Sequence, residues 1–214
     1  MNRCLLYGVT DDCDITLPAV GVQGRPLQGM LVGGLRAHYS HMSEDTRFTA
    51  DDAVQFHRVT MAIFDATTII PFRFATVLTQ DAIADHLSRY ADRYMECMER
   101  IRDMEQWEWR IEVDGPPPLE GPRPSACGSG RAYLEARAAA LRECSLKAKT
   151  IEATVGDIAR EWQKNANGER LYALVPKAER QKVRAAIQNM PEEKGVRATG
   201  PWIPTEFVRL VVSE

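Results

Sequence analysis

The sequence lacks a long apolar run. No stretch approaches the roughly 20 apolar residues that a membrane-spanning helix requires. The opening stretch, MNRCLLYGVTDDCD, turns acidic before the apolar core of a secretory signal peptide could form. We therefore expect a protein that has no membrane span and resides in the cytoplasm.

Paired cysteines and an excess of positive charge are also missing. None of the five cysteines forms a CxxC pair, which argues against a zinc ribbon or a thioredoxin-like redox site and predicts free thiols. The net charge of −3 argues against an electrostatic grip on nucleic acid. RNA binding on a sheet would need exposed aromatic residues in a basic surround, whereas WEWRIEV places acids beside its aromatic residues.

The motifs of common catalytic sites are absent as well. There is no GxxxxGK[ST] phosphate loop, and no glycine cluster has the strand-to-helix context of a nucleotide site. His38 and His41 fall on a predicted strand, where they face opposite sides, so a zinc site is not favoured. His57 falls in an apolar helical stripe and is expected to be a hydrogen-bonded core residue. We predict no enzyme, no cofactor and no metal.

What is present indicates two α+β domains. The stretch 114–130, DGPPPLEGPRPSACGSG, holds five prolines and four glycines, which exclude a helix or a central strand. It predicts a linker between an N-terminal domain at 1–113 and a C-terminal domain at 131–214, both within the size of small domains.

The N-terminal half predicts three strands and then a helix. RCLLYGV (3–9) is typical of a strand, and LQGMLVGGLRAHYSHM (27–42) of two strands broken at its glycine pair. Thr49 then offers an N-cap with acidic residues in the first turn. The apolar period of the following helix predicts a buried face made of Val54, His57, Met61 and Phe64.

The segment TIIPFRFATVLTQ (68–80) places an arginine between two phenylalanines. A strand starting at Pro71 would point Phe72, Phe74, Thr76 and Leu78 to one face and Arg73, Ala75 and Val77 to the other. Arg73 is then either a buried charge paired with a carboxylate, which we favour, or the polar feature of a contact surface.

A second helix follows Thr79, another N-cap candidate. Its unbroken apolar seam predicts a face laid on a sheet, with a coiled-coil contact as the alternative: Ile83, Leu87, Tyr90, Tyr94, Cys97, Ile101 and Met104. WEWRIEV (107–113) then alternates as a half-buried strand with Trp107, Trp109, Ile111 and Val113 on one face.

The C-terminal half again mixes helices and strands. A helix is predicted over 131–154 with the apolar stripe Leu134, Ala138, Leu141, Cys144 (or Ser145), Ala148 and Ile151. A hairpin turn is predicted at NANG (165–168), and Pro176 suits the first turn of a helix to about Asn189. GVRATG (195–200) and FVRLVV (207–212) predict two last strands, so both halves suit mainly antiparallel sheets covered by helices.

Four segments, taken in order, resemble the gas vesicle accessory proteins of the GvpF/GvpL family. They are CLLYGV, PFRFATVL, SGRAYLEARAA after the proline-rich stretch, and ATGPWIPTEFV (198–208). Two departures stand out. Ala75 stands where the family usually has glycine, and the C-terminal part looks shorter than usual.

The resemblance implies a two-domain α+β protein, with one or both parts ferredoxin-like, and a non-catalytic role in assembling the gas vesicle. It implies binding to the small hydrophobic shell protein and to other accessory gas vesicle proteins. The motif residues are the candidates for interaction: Pro71, Arg73, Phe74, Thr76, Gly200, Pro201 and Trp202. For the last three, a stiff turn that packs the tail onto the C-terminal sheet is the favoured interpretation.

A different class of function stays open beside this one. Arg73, His57 and Tyr39 could line the pocket of a small enzyme or ligand-binding module, in which the arginine would hold an anionic substrate.

Overall fold

The computed structural model describes residues 3–11, 16–113, 130–190 and 195–208. Within these ranges no helix is both long enough and apolar enough to cross a bilayer. The chain forms two compact units, one made of Met1–Met104 with Ile203–Glu214 and the other of Glu105–Trp202. Each has helices on an antiparallel sheet, which confirms the α+β prediction.

The sheet of the first unit is built around its first strand. β1 (Arg3–Asp11) pairs antiparallel with β3 (Leu35–Met42), which in turn pairs with β2 (Gln28–Val32). The strand prediction is confirmed here, including the break at the glycine pair, where Gly33 and Gly34 both have positive φ. The order of the sheet is β2-β3-β1-β4, and β5 also pairs with β1.

The first helix, α1 (Ala50–Ala66), begins as its N-terminal residues predict. The Thr49 side chain accepts a hydrogen bond from the Asp52 amide, and the Asp52 side chain accepts one from the Thr49 amide, which is a capping box. The predicted buried face is correct only in part: Phe64 is buried and Met61 packs half-buried against the core, but Val54 and His57 are exposed. The helix buries instead the face formed by Asp52, Phe56, Val59, Thr60, Ile63 and Phe64.

The two helices of this unit cover opposite faces of the sheet. Leu5 and Tyr7 of β1 belong to the apolar cluster that contains the buried face of α1. Between them Leu6 points the other way and pairs with Tyr39, whose hydroxyl accepts a hydrogen bond from Gln80 at the start of α2 (Gln80–Ile101). Because both faces are covered, β1 is buried at Cys4, Leu5, Leu6, Tyr7, Gly8, Val9 and Thr10.

The seam of α2 lies on the sheet, as the first of its two interpretations predicted. Thr79 caps the helix by accepting from the Ala82 amide, and the helix packs against β1 and β3. The prediction errs in detail: Tyr90 and Cys97 are only half-buried, and Met98 joins the buried side. The fully buried members of the seam are Ile83, Leu87, Tyr94 and Ile101.

The second unit has the element order β-α-β-β-α-β of a ferredoxin-like fold. Its elements are β6 (Met104–Ile111), α3 (Gly130–Val155), β7 (Glu161–Lys164), β8 (Arg170–Pro176), α4 (Arg180–Asn189) and β9 (Val196–Trp202), and the sheet order is β7-β8-β6-β9. Residues of both helices join the core of the sheet, together with Trp107, Trp109 and Ile111 on one face of β6. The half-buried strand and the hairpin at Gly168 are confirmed.

The units divide the chain at other points than the predicted linker does. β6 was assigned to the N-terminal part, but it pairs with β9 and lies in the second sheet. Residues 114–129 of the predicted linker lie outside the described residues, so the linker stays a prediction.

The predicted turn at Gly200, Pro201 and Trp202 is wrong, because these residues end β9. The tail that follows does not pack onto the second sheet: Ile203 joins the core of the first unit. A single turn of 3-10 helix spans Thr205–Phe207 where a last strand was expected to start, and residues 209–214 lie outside the described ranges.

Two helix predictions in the second unit need correction. Pro176 ends β8 rather than opening a helix, and α4 starts only after a turn of 3-10 helix at Lys177–Glu179. In α3 the predicted stripe is buried only in its second part, where the helix covers the sheet. Leu134 and Leu141 are 65% and 42% exposed.

A buried carboxylate organises the second unit. Glu105 is 0% exposed, and its two oxygens accept hydrogen bonds from Trp107 Nε1 at 2.8 Å and from Arg180 Nε at 2.8 Å. Arg180 Nη2 also lies 2.8 Å from the same oxygen that accepts from Nε. The pair ties α4 to the first strand of the sheet. Since a buried charge is costly unless it is paired, this fork compensates the burial of Glu105.

We expect Arg180→Met to lower the free energy of unfolding by about 3 kcal/mol, because it leaves the Glu105 charge buried without its partner. Urea unfolding followed by circular dichroism measures this change. Arg184→Met is the matched control, since Arg184 is exposed on the same helix; its change is expected to stay within about 0.5 kcal/mol. Equal losses in both variants would contradict the assignment.

Candidate functional site

The motif around Arg73 forms a turn and not a continuous strand. β4 (Ile70–Pro71) and β5 (Val77–Thr79) both pair with β1, and the residues between them leave the sheet. The amide of Thr76 donates to the carbonyl of Arg73 at 3.1 Å, which closes the turn. The predicted alternation of faces from Pro71 to Leu78 is therefore wrong, because the residues between the two strands loop out of the sheet before the chain returns to β1 in the same direction.

Both ends of this turn are fastened to β1. The amide of Phe72 donates to the carbonyl of Tyr7 at 3.0 Å, and the amide of Leu6 donates to the carbonyl of Thr76 at 3.0 Å. The register of β1 against β3 shifts between Leu6 and Gly8, so Tyr7 is the extra residue of a β-bulge. The bulge is thus the point from which the turn projects.

Arg73 stands at the exposed start of this turn. Its side chain is exposed, and no described residue forms an ion pair with it, so the preferred prediction of a buried, paired arginine is wrong. The aromatic neighbours are half-buried. Phe74 makes edge contacts with Phe48 and Phe56 at centroid distances of 5.3 and 5.4 Å, which hold the turn against α1.

Ala75 has a backbone conformation that is unusual for alanine. Its φ is 65°, in the left-handed region, at the third residue of the turn. In a type II turn that position favours glycine, because a Cβ there crowds the backbone. Glycine would suit this place for that reason, and the alanine here keeps the turn at some conformational cost.

Tyr7 supports the turn from inside the sheet. Its hydroxyl accepts a hydrogen bond from the Val22 amide at 2.7 Å and donates one to Ser40 Oγ at 3.1 Å. Its ring stacks on Phe56 at 5.1 Å. A Cβ on Gly21 would come within 2.1 Å of the hydroxyl, so only glycine fits beside it. Burial raises the pKa of Tyr7, and the hydroxyl stays protonated at neutral pH.

The second motif, made of Gly200, Pro201 and Trp202, packs on Trp107. A Cβ on Gly200 would lie 3.0 Å from two ring carbons of Trp107, and Gly200 has a φ of 147° that disfavours other residues. Pro201 follows a cis peptide bond. Trp202 is 37% exposed at the end of β9, and its Nε1 donates to Thr199 Oγ1 at 3.2 Å. This motif therefore combines a packing role with one partly exposed aromatic ring.

The histidines and Tyr39 do not form a pocket with Arg73. Tyr39 is buried against the start of α2, whereas His57 and Arg73 are exposed. His57 is therefore no core residue, contrary to the prediction. A groove of about 620 Å³ opens elsewhere, along the outer side of α1, and none of these three residues lines it.

His38 and His41 point to opposite faces of β3, as expected for a strand. His38 Nε2 lies 3.0 Å from Thr10 Oγ1, while His41 Nδ1 lies 3.5 Å from Cys4 Sγ. Burial, with a smaller contribution from Arg36, lowers the pKa of His38 to about 4. Burial raises the pKa of the Cys4 thiol, which makes it a poor nucleophile. Among the described residues no group of three or more His, Cys, Asp or Glu side chains could hold a metal ion.

Three residues that shape the site escaped the sequence analysis. Tyr7 lay inside a predicted strand, and nothing in an apolar strand pattern announces a bulge. Glu105 and Arg180 are 75 residues apart in sequence, so their pairing appears only in the folded chain. The single local signal was an acidic residue, Glu105, two positions before the first tryptophan of the predicted strand.

Comparisons with known proteins agree on one family. Residues 3–209 match the sequence profile of the family described as gas vesicle synthesis protein GvpL/GvpF. The fold is similar to the crystal structure of the gas vesicle protein GvpF from Anabaena sp. PCC7120, with a TM-score of 0.74 and 14% identity over 98% of this chain and 99% of that one. It is also similar to GvpF from Microcystis aeruginosa, with a TM-score of 0.72 and 16% identity over 98% and 100%. No curated protein sequence matches.

We expect Ala75→Gly to raise the free energy of unfolding by about 1 kcal/mol, because glycine adopts the left-handed φ without steric cost. Urea unfolding measures the gain. The control is Ala62→Gly on the exposed side of α1, where the same change should instead remove about 1 kcal/mol. A loss in both variants would argue against the turn described above.

A second expectation concerns pH. The folded-state pKa of His38, about 4, lies below the unfolded value of about 6.5, so the unfolded chain binds the proton more readily. The contribution of neutral His38 to the free energy of unfolding should therefore be full above about pH 6.5. It should fall by about 3 kcal/mol as the pH approaches 4.

Chemical unfolding at several pH values, compared between the natural chain and His38→Gln, isolates this contribution. The variant should show a flatter pH dependence, whereas His57→Gln, which changes an exposed ring, should keep the original one. An NMR titration of the His38 ring in the natural chain provides a direct check, and a pKa near 6.5 would refute the explanation.

Proposed function

The chain belongs to the gas vesicle GvpL/GvpF family, and from this premise we propose that it is a non-catalytic accessory factor that binds the hydrophobic shell protein. Membership of the family supports a role in the gas vesicle, and the fold agrees with that of solved GvpF proteins. The observation that supports the finer proposal is the turn at Arg73, which presents an exposed arginine from a fixed backbone.

This turn has the properties of a recognition element. Arginine and aromatic side chains supply most of the binding energy in protein–protein interfaces, and Arg73 lies between Phe72 and Phe74. The backbone hydrogen bonds to β1 hold the turn in place before a partner arrives, so little conformational entropy is lost on binding. The motif residues Pro71 and Thr76 serve as its two anchors, since both lie where the turn meets β1.

The second motif contributes a partly exposed ring. Trp202 lies at the end of β9, an edge strand of the second sheet. Gly200 and Pro201 fix the backbone that carries it. We assign this motif chiefly to packing against Trp107 and treat the ring of Trp202 as an accessory contact.

The alternative of an enzyme or small-molecule module has less support. Its proposed pocket required Arg73, His57 and Tyr39 to converge, and the structure keeps Tyr39 buried beside Gln80. An exposed arginine on a projecting turn suits the surface of another polypeptide better than an enclosed anion. We place the protein in the cytoplasm and at the gas vesicle, with the shell protein and other accessory gas vesicle proteins as partners.

We expect Arg73→Glu to lower the capture of the shell protein by the tagged chain at least tenfold, which is about the effect of losing one interface hot spot. Co-purification from cells that express both proteins measures it, and vesicle formation provides the functional readout. Arg58→Glu is the matched control, because Arg58 is also exposed on the first unit and has no ion pair among the described residues. If the natural chain, Arg73→Glu and Arg58→Glu capture equal amounts of the shell protein, the proposed role of the Arg73 turn is wrong. If the natural chain captures no shell protein, the proposed binding of the shell protein is wrong.

A further inference from the structure

The first part of α3 carries an apolar stripe that its own sheet does not cover. The buried residues of this helix begin at Ala140, and the apolar core of the unit takes in only Cys144, Ala148, Ile151 and Val155. The stripe continues toward the N-terminus through Ala138 to Leu134. Leu134 is 65% exposed and Leu141 42% exposed. Apolar side chains that are exposed on one side of a helix leave water when a second helix covers them, so this part of α3 is suited to packing against another helix.

We infer that this stripe binds a second copy of the same chain, with the two α3 helices antiparallel and a two-fold axis near Ala138. In such a pair, residues at equal distances on either side of the axis meet across the interface. Leu134 and Leu141 lie at nearly equal distances from Ala138, so Leu134 of each chain meets Leu141 of the other. The small side chain of Ala138 allows the helices to approach closely at the axis.

The charges beside the stripe have the same symmetry. Glu135 and Arg142 also lie at nearly equal distances from the axis, and residues seven apart share one side of a helix, with an offset of about 20°. Both are exposed, and both lie about 100° around the helix from the leucines. Antiparallel pairing brings this side of one helix to the same side of the other, so Glu135 of each chain meets Arg142 of its partner copy.

The present contacts of these two residues leave them available. Arg142 has no ion pair among the described residues, and Glu135 pairs with Arg131 one turn earlier at 2.8 Å. That pair is 87% and 65% exposed, so it contributes little and does not prevent Glu135 from reaching a second arginine. Arg137 lies on the other side of the stripe, where it is bound to Glu169 at 3.6 Å and stays with its own chain.

Opposite charges at symmetric positions select a copy of this chain over an unrelated apolar segment. An unrelated helix would have to carry the same leucine and charge spacing in the reverse direction. The stripe is short, so the interface falls in the class of weak and transient contacts, with dissociation constants in the micromolar range. Self-association of this kind does not depend on the shell protein and adds to the proposed function.

Sedimentation velocity of the full chain alone, at concentrations up to roughly 100 µM, tests the inference. The natural chain should show a concentration-dependent dimer. Glu135→Arg and Arg142→Glu should each weaken it about tenfold by bringing like charges together, and the double variant should restore it by exchanging the two charges. Circular dichroism confirms that helix content is unchanged in each variant.

The leucines supply a matched pair of variants. Leu134→Ser should abolish the dimer, whereas Leu146→Ser should leave it intact, since Leu146 is equally exposed at 65% but lies about 120° around the same helix. A chain that stays monomeric throughout this concentration range would overturn the inference. A dimer that responds equally to both serine variants, or that the charge exchange does not restore, would overturn it as well.

Discussion

The first unit depends on the position of one side chain, Tyr7, at the bulge of the central strand. Its hydroxyl satisfies the buried amide of Val22, its ring supports Phe56 of α1, and its carbonyl holds the turn that carries Arg73. A buried amide without a partner would cost about 1–3 kcal/mol, so the hydroxyl is a structural requirement. One residue thus connects a surface loop, a helix and the turn that we assign to recognition.

In the second unit, a buried charge has the role that the Tyr7 hydroxyl has in the first. Glu105 receives Trp107 on one oxygen and Arg180 on the other, and this fixes the aromatic ring on which Gly200 packs. In both units, a polar group inside the core sets the geometry of a sequence motif at the edge of a sheet. At Gly200 this arrangement explains the glycine, because the backbone there passes close to the ring of Trp107.

Most of the fold could be predicted from local patterns, and the errors have identifiable causes. The caps at Thr49 and Thr79, the glycine pair between β2 and β3 and the hairpin at Gly168 depend on neighbouring residues alone, and they are confirmed. The face of α1 was misjudged because several apolar registers compete on one helix, and tertiary packing chose Phe56 and Val59.

The candidate site was harder to predict, for a topological reason. The motif around Arg73 has the composition of a strand, but its middle is pulled away from the sheet by a turn that depends on the bulge in β1. The assignment of β6 failed in the same way. Strand pairing with β9 joins residues almost a hundred positions apart, and no local signal records it.

The return of Ile203 and Phe207 to the first unit has a consequence for the order in which the protein is made. Both side chains are buried there, at 7% and 0% exposure, yet they follow the entire second unit in the chain. During translation the first unit therefore lacks part of its core until the second unit has been synthesised. The first unit can complete its core only after the second unit has left the exit tunnel of the ribosome.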